Sequence, residues 1–375
     1  MWATGNGGLM DDDCNCDGYT SSIYTISIGA VSAYGLSTYY DEKCASTMAV
    51  TFTGDTHRGS KADNPLVTTD LHKKCTETFR GTSSAAPLAA GVFALVLEAN
   101  PGLSWRDMQH ILVRTARNTS SCDPGWKKNG AGLYFNHKFG FGRIDAHAMV
   151  KAAEKWRNVP EQHTCVVLGS RNTRKNQIPT GKRLTLNFYS SGCRGKRNNI
   201  RKLEHVQLLV SLKHRRRGDL SITLTSPYGT TSKLLSTRRY DDHSDGLSKW
   251  MFMSVHFWGE DPRGKWKVTF SDNPYSKYER KSLKKDVEDI EHTLIDNRRK
   301  AHRDEILGDY DYHDEIHHGR RGGDYMRDGI SKEDDVRRME ELLQDEIQYD
   351  IYDRRSPIAG YIQEIELVFR GTGKH

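Results

Sequence analysis

Apolar and polar positions along the chain change their rhythm near residue 156. Before it, two periods alternate. Ile23-Tyr24-Thr25-Ile26-Ser27-Ile28 has the every-other-residue pattern of a strand. Ala85 to Leu97 is small and apolar on nearly all faces, the pattern of a buried helix. Ser104 followed by Trp105-Arg106-Asp107 gives a second helix a hydroxyl cap and an acidic first turn, and Met108, Ile111, Leu112 and Thr115 give it one apolar face. A third helix is predicted from about Asp145 to Trp156. Strands alternating with helices predict an α/β layer with a parallel sheet. After 156 only short strand-like runs remain: Arg183–Ser190, Leu203–Lys213, Asp219–Ser226, Ser232–Ser236, Trp250–Trp258 and Lys265–Ser271. Turns such as Ser226-Pro227-Tyr228-Gly229 separate them, which predicts a sandwich or barrel.

Residues 273–358 break that second pattern. Asp, Glu, Lys, Arg and His dominate the stretch, which reads as a charged, disordered insert. Alternation returns at Tyr361–Phe369, a last strand rejoining the β part across the insert. The division is therefore 1–156, then 160–373 interrupted by 273–358.

The 375 residues suffice for two cores. Fifty-six Lys and Arg against 49 Asp and Glu leave a formal charge of +7, too mild to indicate nucleic-acid binding. No run of about 18 apolar residues is evident, so no membrane-spanning helix is expected. Seven cysteines are spaced too sparsely for a small disulfide scaffold and too irregularly for zinc. The first residues, Met1-Trp2-Ala3-Thr4-Gly5-Asn6, have neither the basic nor the apolar region of a signal peptide.

The segment richest in chemistry is Gly81-Thr82-Ser83-Ser84-Ala85-Ala86-Pro87. A hydroxyl at the start of an apolar helix meets free N–H groups and the positive end of the helix dipole. That serves a nucleophile, whose anion is stabilised there, and equally a plain serine cap. The run resembles the nucleophile motif of subtilisin-like serine proteases. Extended through Leu97-Glu98-Ala99-Asn100 to Trp105–His110, it resembles their kexin/furin branch, the proprotein convertases. Pro124–Gly132 and Phe139-Gly140-Phe141-Gly142 are most similar to the neuroendocrine convertase one subgroup. Leu203-Glu204-His205-Val206, Arg216–Leu220 and Trp250–Pro262 resemble the convertase P domain, also called Homo B. The implied fold is the C-terminal part of an α/β subtilisin-like catalytic domain, followed by an all-β, jelly-roll-like P/Homo B domain.

By this resemblance Ser83 is the nucleophile. Trp2-Ala3-Thr4-Gly5-Asn6-Gly7-Gly8 matches the family segment in which Asn6 donates to the oxyanion; a lone Asn-Gly would otherwise read as a turn. Asp11–Tyr19 matches a segment that places Asp17 at the floor of the pocket for a substrate Arg and Tyr19 beside a second basic residue. A bidentate carboxylate–Arg pair accounts for such a preference. Asp12, with Glu42, matches calcium ligands, and hard oxygens suit that ion. Asp11 and Asp13 read as a solvated turn. Cys14–Cys44 and Cys165–Cys193 match family disulfides, and Cys75 a half-cystine whose partner lies upstream. Disulfides and the sequon at Asn118 imply the secretory pathway, Golgi, vesicles or outside the cell. Arg217-Gly218-Asp219 reads as a structural strand–turn rather than an integrin ligand.

One departure matters. The triad needs Asp and His before Ser, yet no Asp-Asp-Gly or His-Gly-Thr motif occurs. Neither His57 nor His72 has the family's context. The expectation is an N-terminally truncated convertase: a calcium-dependent serine endopeptidase that cuts secretory precursors after paired basic residues, with the isolated chain inactive. Its implied partners are those precursors, the missing upstream catalytic segment and the prosegment. A sheet cut across at that point would also leave an exposed apolar face. The alternative is a short non-catalytic product, a binding or regulatory module acting through the P domain.

Overall fold

The computed structural model describes residues 1–54, 66–77, 79–169, 176–274 and 356–373. Met1–Asn273 and Ser356–His375 form one compact unit. The charged segment read as an insert lies, apart from its ends, outside the described residues, as does His57.

The first part is a three-stranded parallel sheet, β1 (Trp2–Ala3), β2 (Ser27–Val31) and β3 (Thr47–Phe52), in that spatial order. Two short hairpins follow or intervene: β4 (Thr68–Thr69) with β5 (Cys75–Thr76), and β6 (Lys127–Lys128) with β7 (Tyr134–Phe135). The helices are α1 (Thr82–Ala99), α2 (Trp105–Thr115) and α3 (Ala146–Ala153). Ser104 and Asp107 close a reciprocal capping box on α2, and Asp145 caps α3 through the N–H of Ala148.

Two expectations change here. The strand read over Ile23–Ile28 begins only at Ser27. The carbonyl oxygens of Ile23 and Thr25 instead accept from the Gln109 side chain, which removes them from any ladder. Helix α1 is long and apolar enough to cross a bilayer by length and composition. Its Ala85, Ala86, Ala89, Phe93 and Val96 are buried in the core shared with β2 and β3, so it acts as a core helix. Only one side is covered: Leu88, Leu95 and Leu97 are exposed.

The second part is a β sandwich. One sheet runs β10 (Arg183–Ser190), β15 (Gly264–Asp272), β12 (Leu220–Thr225), β13 (Thr231–Leu235). The other runs β14 (Leu247–Ser254), β11 (Lys202–His214), β16 (Ile358–Thr372), β8 (His163–Leu168), with β9 (Gln177–Pro179) also on β16. Alternate residues of β12 and β15 point inward: Leu220, Ile222 and Leu224 with Trp266, Val268 and Phe270. They meet Val206, Leu208 and Val210 of β11 in one core.

Strand β11 is buried on both faces because its other side meets the first part. Glu204 is its key residue there. It accepts from Arg106 through both nitrogens of a fork, from Gln162 at 2.7 Å, and lies 2.8 Å from His110 Nε2. Burial opposes ionisation of Glu204, but hydrogen bonds from His110 and Arg106 outweigh it and hold the carboxyl at about 2. Met253, Val255 and Trp258 of the β part complete the core around α1 and α2.

Candidate active site

The start of α1 is fixed by a set of hydroxyls. The N–H of Gly81 donates to Tyr40 Oη at 3.0 Å and to Thr53 Oγ1 at 3.1 Å. Ser84 Oγ lies 2.7 Å from Thr53 Oγ1, and Thr51 Oγ1 donates to the Ala85 carbonyl at 2.7 Å. Gly81 has φ of +112°, which a side chain would resist, and this turns the chain abruptly into the helix. Ser83, the second helical residue, is thereby left exposed while Thr82 and Ser84 beside it are buried. Among the described residues nothing hydrogen-bonds its side chain.

Asn6 meets the same helix end. Its Oδ1 accepts from Thr82 N and from Thr82 Oγ1, both at 3.0 Å. That fixes the amide's orientation, because only the oxygen can take the Thr82 N–H. The Nδ2 hydrogens remain for another acceptor at the helix start. Thr82, the first residue of α1, received no role from sequence, since a hydroxyl beside Ser83 and Ser84 gave no signal of its own.

The loop carrying Asn6 also carries the expected cation site. Asp12 and Glu42 flank Gly7: a Cβ there would stand 2.7 Å from Asp12 Cβ and 3.0 Å from Glu42 Oε1. The Gly7 N–H donates to Glu42 at 2.9 Å. Burial, helped by Asp12, Asp13 and Asp17, pushes the Glu42 carboxyl up to about 7. Behind it Asp41 is fully enclosed and pushed up to about 8 by burial, with Thr4 Oγ1 donating to it at 2.7 Å. Carboxyls this reluctant to ionise alone are those a bound cation would favour as anions. The donors suit calcium in kind but supply only two side chains of its usual six to eight oxygens. Among the described residues no group of three or more His, Cys, Asp or Glu is arranged to hold a metal.

Asp17 is exposed. Its Oδ1 accepts from the N–H groups of Tyr19 at 2.7 Å and Thr20 at 3.1 Å. The Tyr19 ring, 60% exposed, stacks on Trp2 with centroids 4.2 Å apart. Asn118 is exposed.

The acidic run departs from its reading as a solvated turn. Asp13 is buried; it caps the turn at Asn15 N and accepts from both Ser236 N and Ser236 Oγ at 2.7 Å. Asp11 pairs with Arg239. Two residues beyond Asp13, Asn15 has no exposed surface. Its Nδ2 donates to the Leu234 and Met253 carbonyls, its Oδ1 accepts from Met253 N, and its backbone oxygen accepts from the Trp250 indole. Sequence reasoning passed over Asn15 because a polar residue between two cysteines looks like loop.

Disulfides join Cys14 to Cys44 and Cys165 to Cys193. Cys16, Cys75 and Cys122 are free. Gly218 and Asp219 are buried and Arg217 is paired with Asp241, so that tripeptide does not present an adhesion ligand.

Residues 1–142 match the subtilase family, and residues 203–284 match the proprotein convertase P-domain. This is a subtilase-type chain with a proprotein convertase P domain. It is 52% identical over 309 residues to PC3-like endoprotease variant B of Hydra vulgaris, covering 81% of this chain and 43% of that protein. It is 51% identical over 269 residues to human neuroendocrine convertase 2, covering 71% of this chain and 41% of that one. The chain thus spans less than half the length of these relatives, and two such similar identities do not separate convertase subgroups. A serine protease of Aeromonas sobria has the same fold, with a TM-score of 0.64 at 23% identity over 73% of this chain and 58% of that one.

Proposed function

We propose that this chain carries the nucleophile-bearing part of a calcium-dependent serine endopeptidase that cleaves secretory precursors after paired basic residues. The observation that carries this reading is the Asn6–Thr82 contact beside exposed Ser83 at the N-terminus of α1. Ser83 Oγ attacks the scissile carbonyl and becomes acylated. The carbonyl oxygen gains charge near the Asn6 amide, and a donor of that kind lowers the barrier by about 3 kcal/mol. The Ser83 proton needs a general base, and the leaving amine needs it returned. No motif for that His, or for the Asp behind it, is in the sequence. On this reading the chain by itself turns over no substrate until a general base is supplied to Ser83.

Asp17 pairs with the substrate Arg through its uncommitted oxygen, and Tyr19 flanks the neighbouring basic residue. Calcium would be held by Asp12 and Glu42, neutralising carboxylates crowded under the Asn6 loop. The two disulfides and an accessible Asn118 suit a chain that matures in the secretory pathway, with glycan on Asn118.

The test joins this chain to whatever coding sequence precedes Met1 in its transcript and assays an Arg-Xaa-Lys-Arg peptide. Cleavage that needs calcium and is lost in Ser83→Ala supports the reading. Cleavage that survives Ser83→Ala overturns it.

A further inference from the structure

Charge is very unevenly distributed along the β part. From Gln162 to Leu203 there are 42 residues with ten Lys or Arg and no Asp or Glu. The structure sets Arg194, Lys196 and Arg197 of that stretch just beyond the end of β10, where β15 adds Lys265 and Lys267. On β10 and β15 the outward positions pair across the ladder, Asn187 with Lys267 and Tyr189 with Lys265. Arg183 starts the same row at its far end. Every outward position on β10, β15, β12 and β13 is Ser, Thr, Asn, Tyr, Lys or Arg. None is a carboxylate, and none is aliphatic.

Directly beyond β10 the chain makes a tight, acid-free loop, Ser191 to Arg201. It is pinned by the Cys165–Cys193 disulfide and by backbone bonds from Ile200 to Gly192 and from Arg201 to Thr372. Arg194, Lys196 and Arg197 project from it, all exposed. Among the described residues neither they nor Lys265 and Lys267 make an ion pair. Like charges held this close repel one another, and a polyanion relieves that repulsion.

We propose that the β10–β15 face and the loop after it bind a linear sulfated polysaccharide. Lysines two apart on one strand face stand about 7 Å from each other, a regular row for charges along a chain. Hydroxyl and amide side chains between them suit sugar hydroxyls. Tyr189, 72% exposed opposite Lys265, offers a flat ring to a sugar face. A bilayer is the poorer fit, since no outward side chain here is aliphatic and able to insert.

The test is titration of the whole chain with a heparin oligosaccharide across a salt series, beside vesicles of phosphatidylcholine and phosphatidylserine. Both Lys265→Ala/Lys267→Ala and Arg194→Ala/Lys196→Ala/Arg197→Ala should weaken heparin binding about tenfold or more and flatten its salt dependence. Tyr189→Ala should weaken it without changing the salt slope, and Tyr189→Phe should restore it. Arg117→Ala/Lys151→Ala, a surface change elsewhere, should bind as wild type. All these side chains are exposed, so the variants keep the fold. The proposal fails if the cation variants bind heparin as tightly as wild type. It also fails if vesicles bind with the same dependence on those lysines and none on Tyr189, which would make the face a membrane contact.

Discussion

Asn6 Oδ1 takes both the N–H and the hydroxyl of Thr82, so the side chain that would serve the reaction is anchored by the residue next to Ser83. Its oxygen holds position and its nitrogen is left to act. Asn6→Asp keeps the acceptor and removes the donor. In any form that cleaves substrate it should lower kcat by about 10² to 10³ with little change in KM. Steady-state kinetics on a paired-basic peptide checks this, with urea unfolding of Asn6→Asp expected to match wild type.

Stability should depend on pH through Asp41 and Glu42. Their carboxyls are raised from 3.8 to about 8 and from 4.5 to about 7. The fold keeps protons that the unfolded chain releases above pH ~4, so their contribution is complete below that value. It is lost as pH rises through 7 and 8. In a chelator Tm should fall between pH 5 and pH 8. Asp41→Asn should flatten the upper part of that fall, and excess calcium should oppose it near Glu42. A Tm that rises steadily to pH 8 in chelator contradicts this.

Glu204 joins the two parts of the molecule. Removing it strands the Arg106 guanidinium, which is 8% exposed, without its carboxylate. Glu204→Ala should cost about 3–5 kcal/mol. Glu204→Gln, which keeps one acceptor oxygen that Arg106 Nε and Gln162 can share, should cost less. Urea unfolding followed by tryptophan fluorescence measures both, and equal losses would argue that charge is all that matters here.

Asn15→Ala should be among the costlier loop substitutions. It leaves the Met253 N–H and the carbonyls of Leu234 and Met253 without a buried partner, at about 1–3 kcal/mol per group. Chemical denaturation of the variant, compared with Asn187→Ala at an exposed position of β10, tests this.

Much of this was legible in the sequence, and unevenly so. The strand over Arg183–Ser190 and the cap at Ser104 follow from local period and local chemistry, and both stand where the pattern puts them. The motifs around Ser83 and Asn6 carried the resemblance, and structure brings them to one helix end. What sequence could not give was long-range pairing. Asp13 with Ser236 and Asn15 with Met253 join positions more than 220 residues apart. Nothing local distinguishes such an Asp from one facing water. Helix α1 failed in the opposite sense: its composition suggested burial all round, whereas the three-stranded sheet covers one side.

The pinning of Asn15 also bears on how such proteins can be recombined. The Asp11–Asp17 loop is keyed to main-chain atoms of β13 and β14 through Asn15, besides its side-chain bonds to Ser236, Arg239 and Trp250. A hybrid made by exchanging the sandwich with a relative's will keep the loop's shape only if the donor's carbonyls fall in the same places. Crossover points between the Ser83 helix and residue 160 are thus less innocuous than a linker suggests. The safer graft carries residues 11–17 along with the sandwich they are bonded to.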